Sequence, residues 1–396
     1  MTARLSPTRF HRRLRDTLAA QEPGLFRWYS SDAYEAERTD RMRLELLRSS
    51  YRMSPDRHER PHRLARDAAG ALGVDLPIAL YQLHGNAHAN AGLCFAPGEV
   101  HVVVSGPLLA ALDDAELRAL LGHELAHHRL LTLDDGAYRV ATDLIEASAA
   151  HDSAGPAFVA AALRNRRWTE VFADRGAAIA GGGIAPAIAC LVKLGTGLAE
   201  VSTDDYLAQA REVVAQLVEA EPTERDDATH PETAVRAVAL ELWQARGDDA
   251  EAEIARLVDG AIALETLDVV QQRDIADATR RLLDRVLAPA WMRSDAALAH
   301  ARRFFPDYAW SAPGDLAPPA SLADYIGYVL LDFAVVDPSL GELALAHVLA
   351  VAVELALRDP VAALARKELK LTASAIAQLE ERAPSLFERA AQDGPP

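Results

Sequence analysis

Cysteine is scarce. Cys94 and Cys190 are the only two in 396 residues, too few for a disulfide framework, and a reducing compartment is the expectation. No run reaches the roughly 18 apolar residues that a membrane-spanning helix needs. Of the two nearest, IGYVLLDFAVV is too short and LALAHVLAVAVELAL carries His347 and Glu354; both read as buried helices. The opening stretch MTARLSPTRFHRRLRD is basic but has no apolar segment, so it does not spell a secretory signal. Positive charge is short as well. The chain has 41 Lys and Arg against 58 Asp and Glu, a net charge of −17, which argues against nucleic acid or an anionic membrane as the main partner. Solenoid-type repeats are missing. A soluble, cytoplasmic protein without a membrane span is expected.

What is present is enough for a folded chain. Half the residues are hydrophobic and a quarter are charged. At this length two or three units are expected, and the pattern suggests a helical arm over residues 1–50, a central unit over 51–250 and a helical unit over 251–396. The spacing predicts a helix from Asp32 to Leu47. Ser54-Pro55 carries the residues favoured at an N-cap and first helical position, so a second helix is expected from there to Gly73, with Pro61 able to shift its start or kink it. From Pro77 to Ser105 the runs PIALYQL, AHANAGLCF and EVHVVVS have strand composition, separated by Gly85 and Pro97-Gly98, and a sheet of about three strands follows. The rest reads as helix, broken at DSAGP, AGGGIAP, EAEPTERDDATHP and SAPGDLAPPAS. The fold class is α+β, mainly α.

The chemistry sits in LDDAELRALLGHELAHHRLL. Asp113 and Glu116 form an acidic capping-box start, and Leu117, Leu120, Leu121 and Leu125 supply an apolar stripe. On that helix His123 and His127 share a face and can aim two imidazoles at one ion. Glu124, about 100° around the helix, can reach a water there. That is the physical content of an H-E-x-x-H zinc motif; the alternative is a solvated polar helix face. Downstream, in RRWTEVFADRGAA, Glu170 and Asp174 are also four apart on a helix that Trp168, Val171 and Phe172 mark as buried. Glu170 can complete a His-His-Glu ligand set. Asp174 can hold the far nitrogen of a ligating histidine. His128 points about 100° away from His127 and is not expected to be a ligand, and Cys94 reads as a buried structural cysteine.

At these residues the chain resembles the HtpX-type zinc metallopeptidases, the gluzincin family that includes the CAAX prenyl proteases. The resemblance extends to GNAHANAGLC before the motif helix and to THPETAVRAVAL after it, and spans about residues 45–245. It implies a zincin-like catalytic domain with one zinc per chain held by His123, His127 and Glu170. Glu124 would be the general base, and Asp174 would support a ligand. His230 and Arg236 would stabilise the oxyanion or gate access. Asn86, Ala87, His88 and Ala89 would belong to an edge strand that docks an extended peptide. His88 stands where the family often has an aromatic. The implied activity is endopeptidase action on misfolded or unfolded proteins. A protease-derived binding module that is weak or autoinhibited is the alternative, and the retained Glu124 favours the first. The C-terminal part is weakly similar to the helical TerB-like domains of tellurite-resistance proteins, with a plain helical bundle as the alternative. The sequence does not choose an oligomeric state.

Overall fold

The computed structural model describes residues 5–85, 88–219, 232–318 and 320–393. Its contacts divide the chain into two compact units, Met1–Val270 and Gln271–Pro396. The first carries helices α1 (Arg9–Gln21), α2 (Pro23–Tyr29), α3 (Asp32–Ser49), α4 (Glu59–Leu72), α5 (Leu108–Ala111) and α6 (Asp114–Thr132). It continues through α7 (Ala137–Ala149), α8 (Pro156–Gly181), α9 (Ile184–Thr196), α10 (Thr203–Glu219), α11 (Thr233–Arg246) and α12 (Glu251–Asp259). Helix α13 (Val269–Val286) opens at the boundary. The second unit then adds α14 (Asp295–Phe304), α15 (Ala323–Val335), α16 (Gly341–Glu354), α17 (Arg358–Glu368) and α18 (Ala373–Asp393), built around Ile326, Leu330, Phe333 and Leu349. Among the described residues no helix is long and apolar enough to cross a membrane.

One small sheet supports the first unit. Its strands are β1 (Ser50–Arg52), β2 (Ile78–Leu83), β3 (Asn90–Ala96) and β4 (Glu99–Ser105), in the order β1-β2-β4-β3. β2 and β4 are parallel, with Ile78 opposite Val100; the other two pairings are antiparallel. Gly98, at a left-handed φ of 75°, lets the chain turn back from β3 into β4 within two residues. Leu80, Val100, Val102 and Val104 project from one face into a core shared with Leu117, Leu121 and Leu125 of α6. That alternation anchors the motif helix to the sheet and leaves β3 as an edge strand.

Several expectations need correcting. The sheet has four strands rather than three, because β1 is three residues long and shows no periodicity. Helix α4 starts at Glu59 rather than Pro55, since Ser54 closes a turn by accepting from the Arg57 and His58 amides at 3.2 and 3.0 Å. Pro61 is then its third residue, where no intrahelical amide is needed, so it does not kink the helix. The first 50 residues do not stand off as an arm. Phe10, His11, Leu14 and Leu18 of α1 are buried, with Phe10 stacked on Trp168 of α8. The first unit also runs past residue 250, because Ile254 and Val258 of α12 lie in its core.

The closest packing in the unit is between α6 and α8. A methyl group added at Gly122 would overlap Ala180 Cβ, and one added at Gly176 would overlap Ala126 Cβ. The two glycines therefore set the separation of the helices that carry the motif residues. Gly176→Val is expected to destabilise the fold by about 1–3 kcal/mol through overpacking. Thermal unfolding checks this. A variant as stable as the parent would mean the helices can part freely.

Candidate metal centre

The helical period does most of the assembly. Four-residue spacing puts His123 and His127 on one face of α6, and Glu170 and Asp174 on one face of α8. The capping box predicted at the start of α6 is formed: Asp113 accepts from the Ala115 and Glu116 amides at 2.8 Å each, and Glu116 accepts from the Asp113 amide at 3.0 Å. Across the helix pair, His123 Nε2 lies 3.1 Å from His127 Nε2 and 3.4 Å from Glu170 Oε2. His127 Nε2 lies 3.6 Å from Glu170 Oε1.

These distances test whether the residues fit zinc. Donor atoms at ~2.0–2.1 Å around a tetrahedral ion are separated by about 3.4 Å, the edge of the tetrahedron. The two separations that share His123 Nε2, 3.1 Å to His127 and 3.4 Å to Glu170, lie near that edge, and one donor atom from each of the three residues falls within 4.8 Å of the others. The donor types, two imidazole nitrogens and a carboxylate, also suit a catalytic site with an open position. The residues fit the ion.

A second tier of charge surrounds them. Asp174 Oδ1 lies 3.1 Å from His123 Nδ1, so that nitrogen donates and leaves Nε2 facing His127 and Glu170. Arg236 of α11 forks onto Asp174, Nε to Oδ2 at 2.7 Å and Nη2 to Oδ1 at 2.6 Å, and its Nη2 also reaches Glu170 Oε2 at 3.1 Å. Burial opposes a charge on His123, but its hydrogen bonds to Asp174 and Glu170 and their negative charges prevail and push it up to about 10. His127 is pushed down to about 4 by burial and by the neighbouring His123 cation. Burial works to raise both Glu170 and Asp174, yet the cations around them hold both below the usual carboxylate range. Glu124 goes the other way. Burial, with the charge of Glu170 added, raises it to about 7 against the opposing pull of His123 and Arg236.

Glu124 is steered by the sheet as well as by its helix, since the Leu93 amide of β3 donates to its carboxylate. The groups open into one cleft of about 460 Å³, with Asn90 to Leu93 and Phe95 along one side and Leu191 and Leu194 of α9 along another.

Residues 55–244 match peptidase family M48. That match, over a little less than half of the chain, supports a metallopeptidase. No curated protein and no solved structure matches the chain. The matched segment opens just ahead of α4 and ends within α11, so it contains β2, β3, β4, α6, α8 and Arg236, while β1 precedes it.

Within the M48 segment, His123, Glu124, His127, Glu170, Asp174 and Arg236 all line the cleft. Arg236 meets Asp174 and Glu170, an arrangement the sequence had not assigned to it. His230, Asn86 and Ala87 lie outside the described residues. His88 and Ala89 precede β3 and do not line the cleft; the His88 carbonyl accepts from Ser105 Oγ at 2.8 Å. The strand residues that line it begin at Asn90 instead. Asn90 to Leu93 fall within the GNAHANAGLC stretch that carries the resemblance, whereas Ala187, Leu191 and Leu194 on α9 left no sequence signal. His128 turns to the sheet, its ring stacked on Phe95 and its Nε2 3.4 Å from Ala96 O. Cys94 does not line the cleft.

The geometry also predicts a proton count. With His123 pushed up to about 10, the metal-free protein holds a proton between the carboxylates where a cation would compete for the same electrons. The sign follows: stability from this imidazolium is present below about 6.5 and is lost as pH rises through about 10. At pH ~8, metal binding should therefore release about one proton. Titration calorimetry in buffers of differing ionisation enthalpy measures it, and zero release would mean that His123 is already neutral.

Proposed function

We propose that this chain is a zinc-dependent endopeptidase that hydrolyses peptide bonds of unfolded or misfolded polypeptides in the cytoplasm. A peptidase family implies polypeptide substrates. The observation that carries the finer reading is the placement of Glu124. Its carboxylate opens into the same cleft as the His123–His127–Glu170 triangle and is hydrogen-bonded to an edge strand.

His123, His127 and Glu170 hold the ion. When bound, zinc supplies Lewis acidity, making water acidic near neutral pH and polarising a carbonyl. Glu124 takes the proton from the attacking water and hands it to the leaving amine. Asp174 keeps the His123 ring aimed, and Arg236 keeps Asp174 and Glu170 ionised beside one another. His230 keeps the role that the sequence resemblance implies for it, stabilising the oxyanion or gating access. An extended peptide adds to the outer side of β3 through backbone hydrogen bonds.

Freshly purified protein is expected to carry about one zinc per chain. It should lose its cleavage of an unfolded casein-like substrate on chelation and regain it with zinc. Protein that purifies without zinc and gains nothing from added metal would remove this reading.

A further inference from the structure

The cleft has two unlike ends, and β3 gives them a direction. The Leu93 amide meets Glu124, whereas Phe95 stacks on His128 with ring centroids 5.2 Å apart. Strand and motif helix therefore advance together, and the start of β3 lies beside the N-terminal half of α6. There the walls are Ala119 and Leu120 of α6 with Ala187, Cys190, Leu191 and Leu194 of α9. Gly182 and Gly183, at φ of 86° and 149°, turn the chain from α8 into α9. Lys193 then pins α9 to α6 through Glu116 at 2.8 Å, so its charge is committed there.

This lobe is apolar and has depth. Of its lining, Ala119 and Ala187 are buried, and Leu191 and Leu194 are half-buried. Apart from Cys190, whose thiol burial pushes up to about 12, the ionisable groups lining the cleft are those of the metal centre and Arg236. A charged side chain in the lobe would lose its water and find the neighbouring charges already paired, Lys193 with Glu116 and Arg236 with Asp174 and Glu170. An aliphatic one would exchange water for apolar walls.

We propose that this lobe is the pocket that selects the substrate. It takes an apolar residue flanking the bond to be cut, and Ala187 limits that residue's size. The inference rests on the peptidase reading of the metal centre, and its test keeps the two apart. The probes are unstructured Ser/Gly-rich peptides carrying one guest residue: Leu, Ala, Phe or Asp. The zinc-loaded full chain with Glu124→Gln reports binding by fluorescence anisotropy, and the parent chain reports cleavage with the cut mapped by mass spectrometry.

The Leu guest should bind and be cut roughly tenfold better than the Asp guest, with the cut next to the guest. Ala187→Leu should bring the Leu-to-Ala ratio down to about one with zinc content unchanged. Leu194→Ala, which opens the lobe, should extend the preference to Phe and covers the case in which the first variant misfolds. Equal binding of Leu and Asp guests would overturn the inference, as would ratios unmoved by the folded variants. Selective binding without any cleavage would leave the pocket standing and sink the peptidase reading. Cleavage without selectivity would do the reverse.

Discussion

Glu124→Gln is expected to keep its zinc and to lose about 10²–10⁴ in kcat. The carboxamide has the shape of the carboxylate and can still accept from the Leu93 amide. It cannot take a proton from water. Because burial raises Glu124 to about 7, the parent's kcat/KM should fall as pH drops below about 7, with the fall moved lower by a bound cation. Residual activity in the glutamine variant should lack that limb.

The same burial predicts a stability effect of opposite sign. The folded metal-free protein holds the Glu124 proton more tightly than the unfolded chain does. Stability therefore declines as pH rises from about 4.5 through about 7, where the carboxyl ionises inside the fold. Glutamine removes that burden, so the metal-free variant should unfold at a higher temperature than the metal-free parent at pH ~8 although it cuts far more slowly. Metal analysis, a pH-rate profile and a melting curve on one preparation check all three. Equal cleavage by parent and variant would remove Glu124 as the base.

How much of this was legible beforehand depended on periodicity. His123, His127, Glu170 and Asp174 could be paired from sequence because a four-residue step on a helix fixes the face. β2 and β4 were legible as strands because Leu80, Val100, Val102 and Val104 alternate. β1 was not, since three residues carry no period. Helix α1 hides its buried side because Arg9, Arg12, Arg13 and Arg15 dominate its composition. Its buried stripe is Phe10, Leu14 and Leu18, and the partner that makes the stripe meaningful, Trp168, is 158 residues downstream of Phe10. The cleft wall on α9 was illegible for a different cause. Ala187, Leu191 and Leu194 look like any core helix until the cleft that they share with His123, His127 and Glu170 is in view. Gly122 and Gly176 raise the same problem: each is a poor helix former whose value appears only when the facing helix is in place.

Arg236→Leu is the other substitution with a large expected effect, and it separates two roles. The sequence resemblance implies that Arg236 stabilises the oxyanion or gates access. In the structure its Nε and Nη2 are taken by Asp174 and Glu170, all three side chains being largely buried. If its work is to hold those carboxylates, removing it leaves two buried anions short of a cation, a loss of about 3–5 kcal/mol in folding stability. Asp174, held low chiefly by Arg236 against burial, should then take up a proton more readily and release His123 Nδ1. Zinc affinity should fall about 10–100-fold as the ligand loses its orientation. Lysine cannot reproduce the fork, so Arg236→Lys should recover charge but only part of the affinity. Adding Asp174→Asn to Arg236→Leu removes the stranded charge and should cost less stability than the two changes summed. Denaturant unfolding and zinc competition against a chelator measure these quantities. A variant that keeps stability and zinc yet loses kcat would instead return Arg236 to the oxyanion.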